Sequence, residues 1–307
     1  MIQRLRDFKK LLPGIVEEIP IHAIKDEHAR KMARNIHLEN RATTTIAVMC
    51  SDSRNKALRE LISRVPGIRV YSNAGGLIYD QFYLSTIVFD HGTQCGARDY
   101  AKKVKYATGK KLSFPSFAEV HPEQMKNAEK QLNKVSEKYR GGIIYFQQET
   151  GEISFHTTSK QGVKYDQSFE CERIVHELNS LRYRYSPEEF AQMANGQNPN
   201  VILLTNGFVN YNADIFRIDM QNNALHDIIF DSLNYAASHA LTNNGSFRDT
   251  DSIIICLDKV NHPFPKGFSS FFKRILPILQ SFKERGGETI LMSLGQKESA
   301  KRIYRIT

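Results

Sequence analysis

Short apolar runs rich in β-branched residues alternate with amphipathic, helix-like stretches along this 307-residue chain. A run at residues 45–49 precedes a helix-like stretch at 55–63, which Pro66 and Gly67 end, and a second run follows at 68–71. Apolar runs of this length predict strands buried on both faces, and strands that alternate with helices predict a parallel sheet. We therefore expect an α/β fold with mainly parallel sheets flanked by helices.

The same order of elements returns in the second half of the chain. The predicted strands there are residues 201–204, 215–218, 252–257 and 289–292. The predicted helices are residues 228–241 and 268–282. An Arg-Gly-Gly triplet, beginning at Arg140 and again at Arg285, stands before the last predicted strand of each half. This recurrence predicts two tandem copies of one α/β unit.

The recurrence also divides the chain. We predict a helical extension at residues 1–42 and a first unit at 43–157. A linker with a short helix at 158–199 and a second unit at 200–307 are expected to follow. The short helix is expected to open at the sequence Ser186-Pro187-Glu188-Glu189.

Composition narrows the classes of function. The sequence has no apolar run of about 18 residues and no signal-peptide pattern at its amino terminus, so a cytoplasmic protein with no membrane partner is expected. Four cysteines are too few for a disulfide framework and are expected to be thiols or metal ligands. The net charge of +9 suits an anionic partner, but the basic-aromatic motifs of nucleic-acid binding are missing, so nucleic acid is not expected.

Three reactive side chains follow the first predicted strand: Cys50, Asp52 and Arg54. Open α/β sheets bind their ligands at the carboxyl ends of the strands, and alternate residues of an extended chain share one face. This arrangement predicts an active site. The sequence Asn73-Ala74-Gly75-Gly76 follows the second predicted strand, and its glycines permit a close approach of the backbone to a ligand.

Together with a third motif, these residues resemble the zinc-site signature of the β-class carbonic anhydrases. The motifs are Cys50-Ser51-Asp52-Ser53-Arg54, the stretch 69–76, and His91-Gly92-Thr93-Gln94-Cys95-Gly96-Ala97. The resemblance covers residues 43–157, and the second half is similar to a degenerate copy without counterparts of Cys50 and Asp52. It implies a parallel-sheet fold, a Zn²⁺ ion and the reversible hydration of carbon dioxide to bicarbonate.

The resemblance also implies roles for individual residues. Cys50, His91 and Cys95 would hold the zinc, which lowers the pKa of a bound water to about 7. Asp52 would pair with Arg54 and accept a hydrogen bond at the open side of the metal. The two halves of the chain would pair with each other as the family's two subunits do, and further homo-oligomerisation stays open.

A second alignment stays open beside the first. Three residues separate His91 from Cys95, where the family has two. Aligning the halves by their recurrence instead makes residues 77–105 helical and 112–120 the third strand, with His121 as the imidazole and Gln124 in place of the second thiol. Such a site lacks a ligand and predicts a binding or regulatory protein without zinc.

Each selected residue also has an ordinary structural interpretation. Cys50 fits a buried thiol, and Asp52 with Arg54 fits a structural ion pair. Cys171 and Cys256 have no ligand-like neighbour at zinc spacing and are expected to be thiols of the core.

Overall fold

The computed structural model describes residues 8–36, 43–50, 55–73, 75–78, 82–91, 124–148, 150–156, 168–195, 201–205, 214–217, 252–258, 268–284, 286–294 and 302–307. The chain forms two compact units. Residues 40–197 form one, which we call the central unit, and residues 1–39 together with 198–307 form the other, the terminal unit. Each unit combines helices with a largely parallel sheet, which confirms the predicted α/β class.

In chain order, the strands of the described residues are β1 (Val16–Glu18), β2 (Thr45–Cys50), β3 (Ile68–Asn73), β4 (Ser85–Asp90), β5 (Arg140–Phe146), β6 (Ile153–His156), β7 (Val201–Thr205), β8 (Asp214–Arg217), β9 (Ser252–Asp258), β10 (Glu288–Leu294) and β11 (Arg302–Ile306). The α-helices are α1 (Phe8–Leu11), α2 (Glu27–Asn35), α3 (Lys56–Ser63), α4 (Gln124–Leu132), α5 (Ser168–Arg182), α6 (Pro187–Asn195) and α7 (Phe268–Glu284). None of these helices is long and apolar enough to cross a lipid bilayer.

The central unit is built on a five-stranded sheet in the order β3-β2-β4-β5-β6. The first four strands are parallel, and β6 runs antiparallel to β5 as the second strand of a hairpin. Every residue of β2 is buried, which accounts for its continuous apolar run. One face of the sheet packs against α3, α5 and α6 in a core that includes Ala47, Met49, Leu58, Leu61, Ile87, Phe89, Ile144, Phe146, Ile174, Leu178 and Phe190.

The segment predicted as a linker contains two helices that belong to this core. Helix α5 buries Cys171, Ile174 and Leu178 at helical spacing, and α6 buries Phe190. Helix α6 begins as the sequence predicts: the Ser186 hydroxyl accepts the N–H of Glu189, and the Glu189 carboxylate accepts the N–H of Ser186. These residues therefore form part of the central unit's packing.

The two Arg-Gly-Gly triplets have different roles, so the prediction that each precedes a strand is wrong for the first. In the central unit the triplet lies inside β5, beside an irregularity in the pairing of β4 with β5. A Cβ atom on Gly141 would lie 2.9 Å from Cγ1 of Ile87, and one on Gly142 (φ +143) would lie 2.8 Å from Sγ of Cys171. In the terminal unit, Gly286 (φ +90) precedes β10, as predicted.

Strand β4 decides between the two alignments over its own length. Residues 85–90 form a strand that pairs with β2, so the prediction that residues 77–105 are helical is wrong there. The alternative third strand at 112–120 and its imidazole, His121, lie outside the described residues, as does the predicted helix at 228–241.

The terminal unit is built on a six-stranded sheet in the order β1-β11-β10-β9-β7-β8. Strands β7, β8, β9 and β10 are parallel, β11 is antiparallel to β10, and β1 is antiparallel to β11. Residues of α2 and of the chain on either side of it pack on this sheet: Ile19, Ile24, Ala29, Met32, Ala33 and Ile36. The amino-terminal residues therefore contain a strand as well as helices, and that strand completes the edge of the sheet.

The two sheets have the same topology over five strands. Strands β7 to β11 follow the order and the directions of β2 to β6, with a parallel set of four and one antiparallel strand beside the last of them. Strand β1 extends the second sheet beyond this common set.

Candidate functional site

Polar residues stand at one level on all five strands of the central sheet, at the edge where the parallel strands end. When the register of β2 with β4 is continued by two residues, the row across the sheet is Asn73, Cys50, Asp90, Tyr145 and Ser154. Residues paired across a sheet share one face. Cys50 therefore faces away from the apolar core that contains its neighbour Met49. This edge is where ligands bind in open α/β sheets.

The Cys50 thiol is buried and contacts the glycines that follow β3. Its Sγ accepts a hydrogen bond from the N–H of Gly75 at 3.2 Å. Gly76 has a φ of +62, and a Cβ atom there would lie 3.1 Å from the Cys50 nitrogen. The glycine motif therefore allows the close backbone approach that the sequence predicts, and the group it approaches is the end of strand β2.

One polar stripe of helix α4 and the turn after it holds the glycine segment in place. Asn127 donates from Nδ2 to the Gly75 carbonyl at 3.1 Å. Gln131 accepts the N–H of Ile78 at 2.9 Å, and Lys134 donates from Nζ to the Ile78 carbonyl at 3.3 Å. These three side chains come from positions separated by four and three residues, which share one face of a helix.

Two further amide side chains, Asn55 and Gln148, form hydrogen bonds near the end of β2. Asn55, just before α3, donates from Nδ2 to the Cys50 carbonyl at 3.0 Å, and Gln148, just after β5, donates from Nε2 to Oδ1 of Asn55 at 2.8 Å. Both amides are buried. The Asn55 side chain thus bonds to the main chain at the end of β2, and the bond from Gln148 fixes the orientation of the Asn55 amide.

His91 follows β4 directly and is buried, with 5% of its surface exposed. Because β2 and β4 are neighbouring parallel strands, the structure brings Cys50 and His91 to the same edge of the sheet. Asp52, Arg54, Cys95 and His121 lie outside the described residues. Among the residues described, no three His, Cys, Asp or Glu side chains are grouped closely enough to hold a metal.

The chemistry of the described donors fits zinc. Cys50 and His91 supply the sulfur and the imidazole nitrogen that zinc prefers, and a hydrogen bond such as that from Gly75 stabilises a thiolate. The remaining predicted ligand is Cys95.

The other described cysteines are buried thiols of the core, as predicted. Cys171 is buried in α5 and donates from Sγ to the Gly141 carbonyl at 2.9 Å. Burial, together with the nearby charges of Glu170 and Glu172, raises the pKa of the Cys171 thiol to about 12, so it stays protonated. Cys256 is buried inside β9. Both are thiols of the core.

The sheet of the terminal unit has different residues at the end of β7, the strand in the position of β2. At the level of Thr205, the residues across that sheet are Arg217, Thr205, Cys256, Met292 and Ile303. Cys256, Met292 and Ile303 belong to the apolar core with α2. At the level of Thr205, three of the five described positions therefore belong to the core, unlike the polar row of the central sheet.

Sequence reasoning missed Asp90, Asn55, Asn127, Gln131 and Gln148. Asp90, Asn55 and Gln148 could have been found as polar residues next to the ends of predicted strands. The contacts of Asn127 and Gln131 with residues 75–78 are visible only in the structure. Compared with known protein families and with curated proteins, the chain matches none.

Proposed function

We propose that the central unit is a zinc-dependent enzyme that reversibly hydrates carbon dioxide to bicarbonate. One observation carries the proposal: Cys50 and His91 are both buried, and they end and directly follow two neighbouring parallel strands, β2 and β4, at the edge where open α/β sheets bind ligands. The resemblance of residues 43–157 to β-class carbonic anhydrases supports the choice of reaction.

In this proposal, Cys50, His91 and Cys95 hold the zinc. The metal supplies a water whose pKa is lowered to about 7. The chain would contribute the groups around the metal. The Asp52 carboxylate would accept a hydrogen bond from the metal-bound solvent, and Arg54 would pair with Asp52 and keep its carboxylate ionised. The described residues on either side, Cys50 and Asn55, are joined by a hydrogen bond, and Asn55 accepts a further one from Gln148.

We further propose that the terminal unit is a degenerate copy of the central unit. The common order and directions of β2–β6 and β7–β11 support this interpretation. Thr205 and its neighbours offer no thiol at the end of β7, so zinc is expected in the central unit alone.

A binding or regulatory protein without zinc is the second candidate. It is favoured by the described residues, which provide two ligands at the site and leave the third to Cys95, at a spacing one residue longer than the family's. The two candidates differ in metal content and in activity.

Metal analysis of the purified full chain, followed by stopped-flow measurement of carbon dioxide hydration, tests the proposal. We expect about one zinc per chain, lost in Cys50→Ser and His91→Ala. Cys171→Ser is the matched control, because it changes a buried thiol outside the site and should keep the metal. If the zinc-loaded protein shows no hydration activity, the proposal of an enzyme is overturned and the binding or regulatory protein is favoured.

A further inference from the structure

We propose that Asn127 is a positioning residue for the Cys50 sulfur. It holds the Gly75 peptide so that its N–H points at Sγ, and it thereby sets how strongly the sulfur binds a metal ion. The inference rests on the proposed zinc site and adds a residue that is not one of the metal ligands.

Gly75 is hydrogen-bonded on both of its backbone sides. Its N–H donates to Sγ of Cys50 at 3.2 Å, and its carbonyl accepts from Nδ2 of Asn127 at 3.1 Å. Its φ of +82 is a conformation that glycine adopts without strain. A flexible residue in this position keeps its N–H directed at the sulfur only when the surrounding structure fixes it, and the Asn127 amide supplies that restraint.

The orientation of the Asn127 amide is itself fixed. Its Oδ1 accepts a hydrogen bond from Nε2 of Gln131, one helical turn later, at 3.4 Å, and Gln131 is fully buried. The Asn127 nitrogen is therefore the end that faces Gly75. The chain of contacts runs from the interior of α4 through one peptide group to the sulfur.

A hydrogen bond to a thiolate withdraws electron density from the sulfur and stabilises its charged form. Groups that bond to metal ligands in this way commonly change metal affinity by about 10- to 100-fold when they are removed. Loss of the Asn127 restraint should weaken the bond from Gly75. The thiolate form is then less well stabilised, which lowers the affinity for a metal ion, and the higher energy of its sulfur electrons moves the thiolate-to-metal charge-transfer band to longer wavelength.

Lys134 provides a matched control. It donates to the same segment, at the carbonyl of Ile78, three residues beyond Gly75. Removing its ammonium group takes one hydrogen bond from the same segment without touching the peptide that bonds to Cys50. A purely structural role for α4 predicts equal effects of the two changes.

Cobalt(II) titration of the metal-free full chain tests the proposal, since the thiolate-to-cobalt charge-transfer band reports directly on the sulfur. In Asn127→Ala we expect affinity about tenfold weaker and a band at longer wavelength, with Lys134→Met like the wild type. Asn127→Asp keeps the shape, removes the donor and should behave like Asn127→Ala; it replaces that variant if the alanine form does not fold. Wild-type affinity and band position in the folded Asn127 variant would overturn the inference alone. Failure of the wild type to bind cobalt would overturn the proposed function, and the inference with it.

Discussion

Gln148 donates a hydrogen bond from Nε2 to Oδ1 of Asn55 at 2.8 Å, and this bond links the end of β5 to the start of α3. Both side chains are buried, so neither amide can exchange its partner for water without opening the structure. The link passes across the edge at which β4 ends. It connects the two sides of the candidate site through side chains that are not themselves metal ligands.

Replacing Gln148 by Ala should lower the free energy of unfolding by about 1–3 kcal/mol, because the buried Oδ1 of Asn55 then loses its donor. Urea denaturation measures this change. Gln147→Ala is the matched control: Gln147 is half-buried, and its main chain bonds to Glu152 and Gly151 in the hairpin. Equal losses in the two variants would show that the amide bond contributes little.

Stability at alkaline pH should depend on Cys171. Its pKa in the folded chain is about 12, raised from an ordinary value of 9.0 mainly by burial. The unfolded chain therefore loses this proton at lower pH than the folded one. The thiol's contribution to stability is complete below about pH 9 and is lost as the pH rises towards 12, at about 1.4 kcal/mol per pH unit.

Cys171→Ser removes the titrating group and keeps a donor to the Gly141 carbonyl. We expect the stability of this variant to fall less steeply than that of the wild type between pH 9 and 11, in denaturation curves measured under reducing conditions. Parallel pH profiles would contradict the assignment.

Glu288 should stabilise the terminal unit far more than its neighbour Glu17 does. The buried Glu288 carboxylate accepts the N–H of Lys25 at 2.9 Å and Nε of Arg305 at 2.6 Å. Glu288→Ala should cost about 3 kcal/mol, because Arg305 loses its close partner in a partly buried position. Glu17 also faces Arg305, at 3.5 Å, but is half exposed, and Glu17→Ala should cost about 0.5 kcal/mol or less. Chemical denaturation of both variants makes the comparison, and similar losses would refute it.

Gly142→Ala should be more harmful than a glycine replacement in open space. The new Cβ atom would lie 2.8 Å from Sγ of Cys171 and 3.0 Å from Cε2 of Phe155, at a φ of +143. We expect a loss of about 2 kcal/mol or more. Gly286→Ala is the control for backbone strain alone, because its φ is +90 and no atom lies within 4 Å of its added Cβ. Thermal unfolding of the two variants separates crowding from strain.

Residues buried on both faces of a sheet were the easiest to predict. The run at 45–49 becomes β2, which extends one residue further to Cys50, because continuous β-branched residues suit a central parallel strand. The hairpin after β5 also follows local rules, with Gly151 (φ +71) in its turn. In both places the sequence alone carries the structural information.

Helix α5 and strand β1 depend on more distant partners. The apolar residues of α5, Cys171, Ile174 and Leu178, stand among charged neighbours, and they become a core stripe only against the sheet of the central unit. Strand β1 has only three residues, and it is a strand because it pairs with β11. Local patterns are too weak to specify such elements.

The candidate site shows the same division. Cys50 and His91 were predicted from strand ends and motifs, and the structure places them at one edge of the sheet. The hydrogen bonds of Asn55 with Gln148 and of Asn127 with Gly75 join residues 93 and 52 positions apart, which no local pattern encodes. Asp52, Arg54 and Cys95 stay predictions.

The pairing of β1 with β11 has a consequence for how the chain is made. Glu17 stands opposite Arg305, and these residues are 288 positions apart. During synthesis from the amino end, strand β1 emerges long before its partner exists, whereas all five strands of the central unit are complete once residue 156 has been made. Closing so long a loop is slow, and domains generally fold as units while the chain grows. Strand β1 is therefore expected to be made well before β11 and to join its sheet only after the central unit has been synthesised.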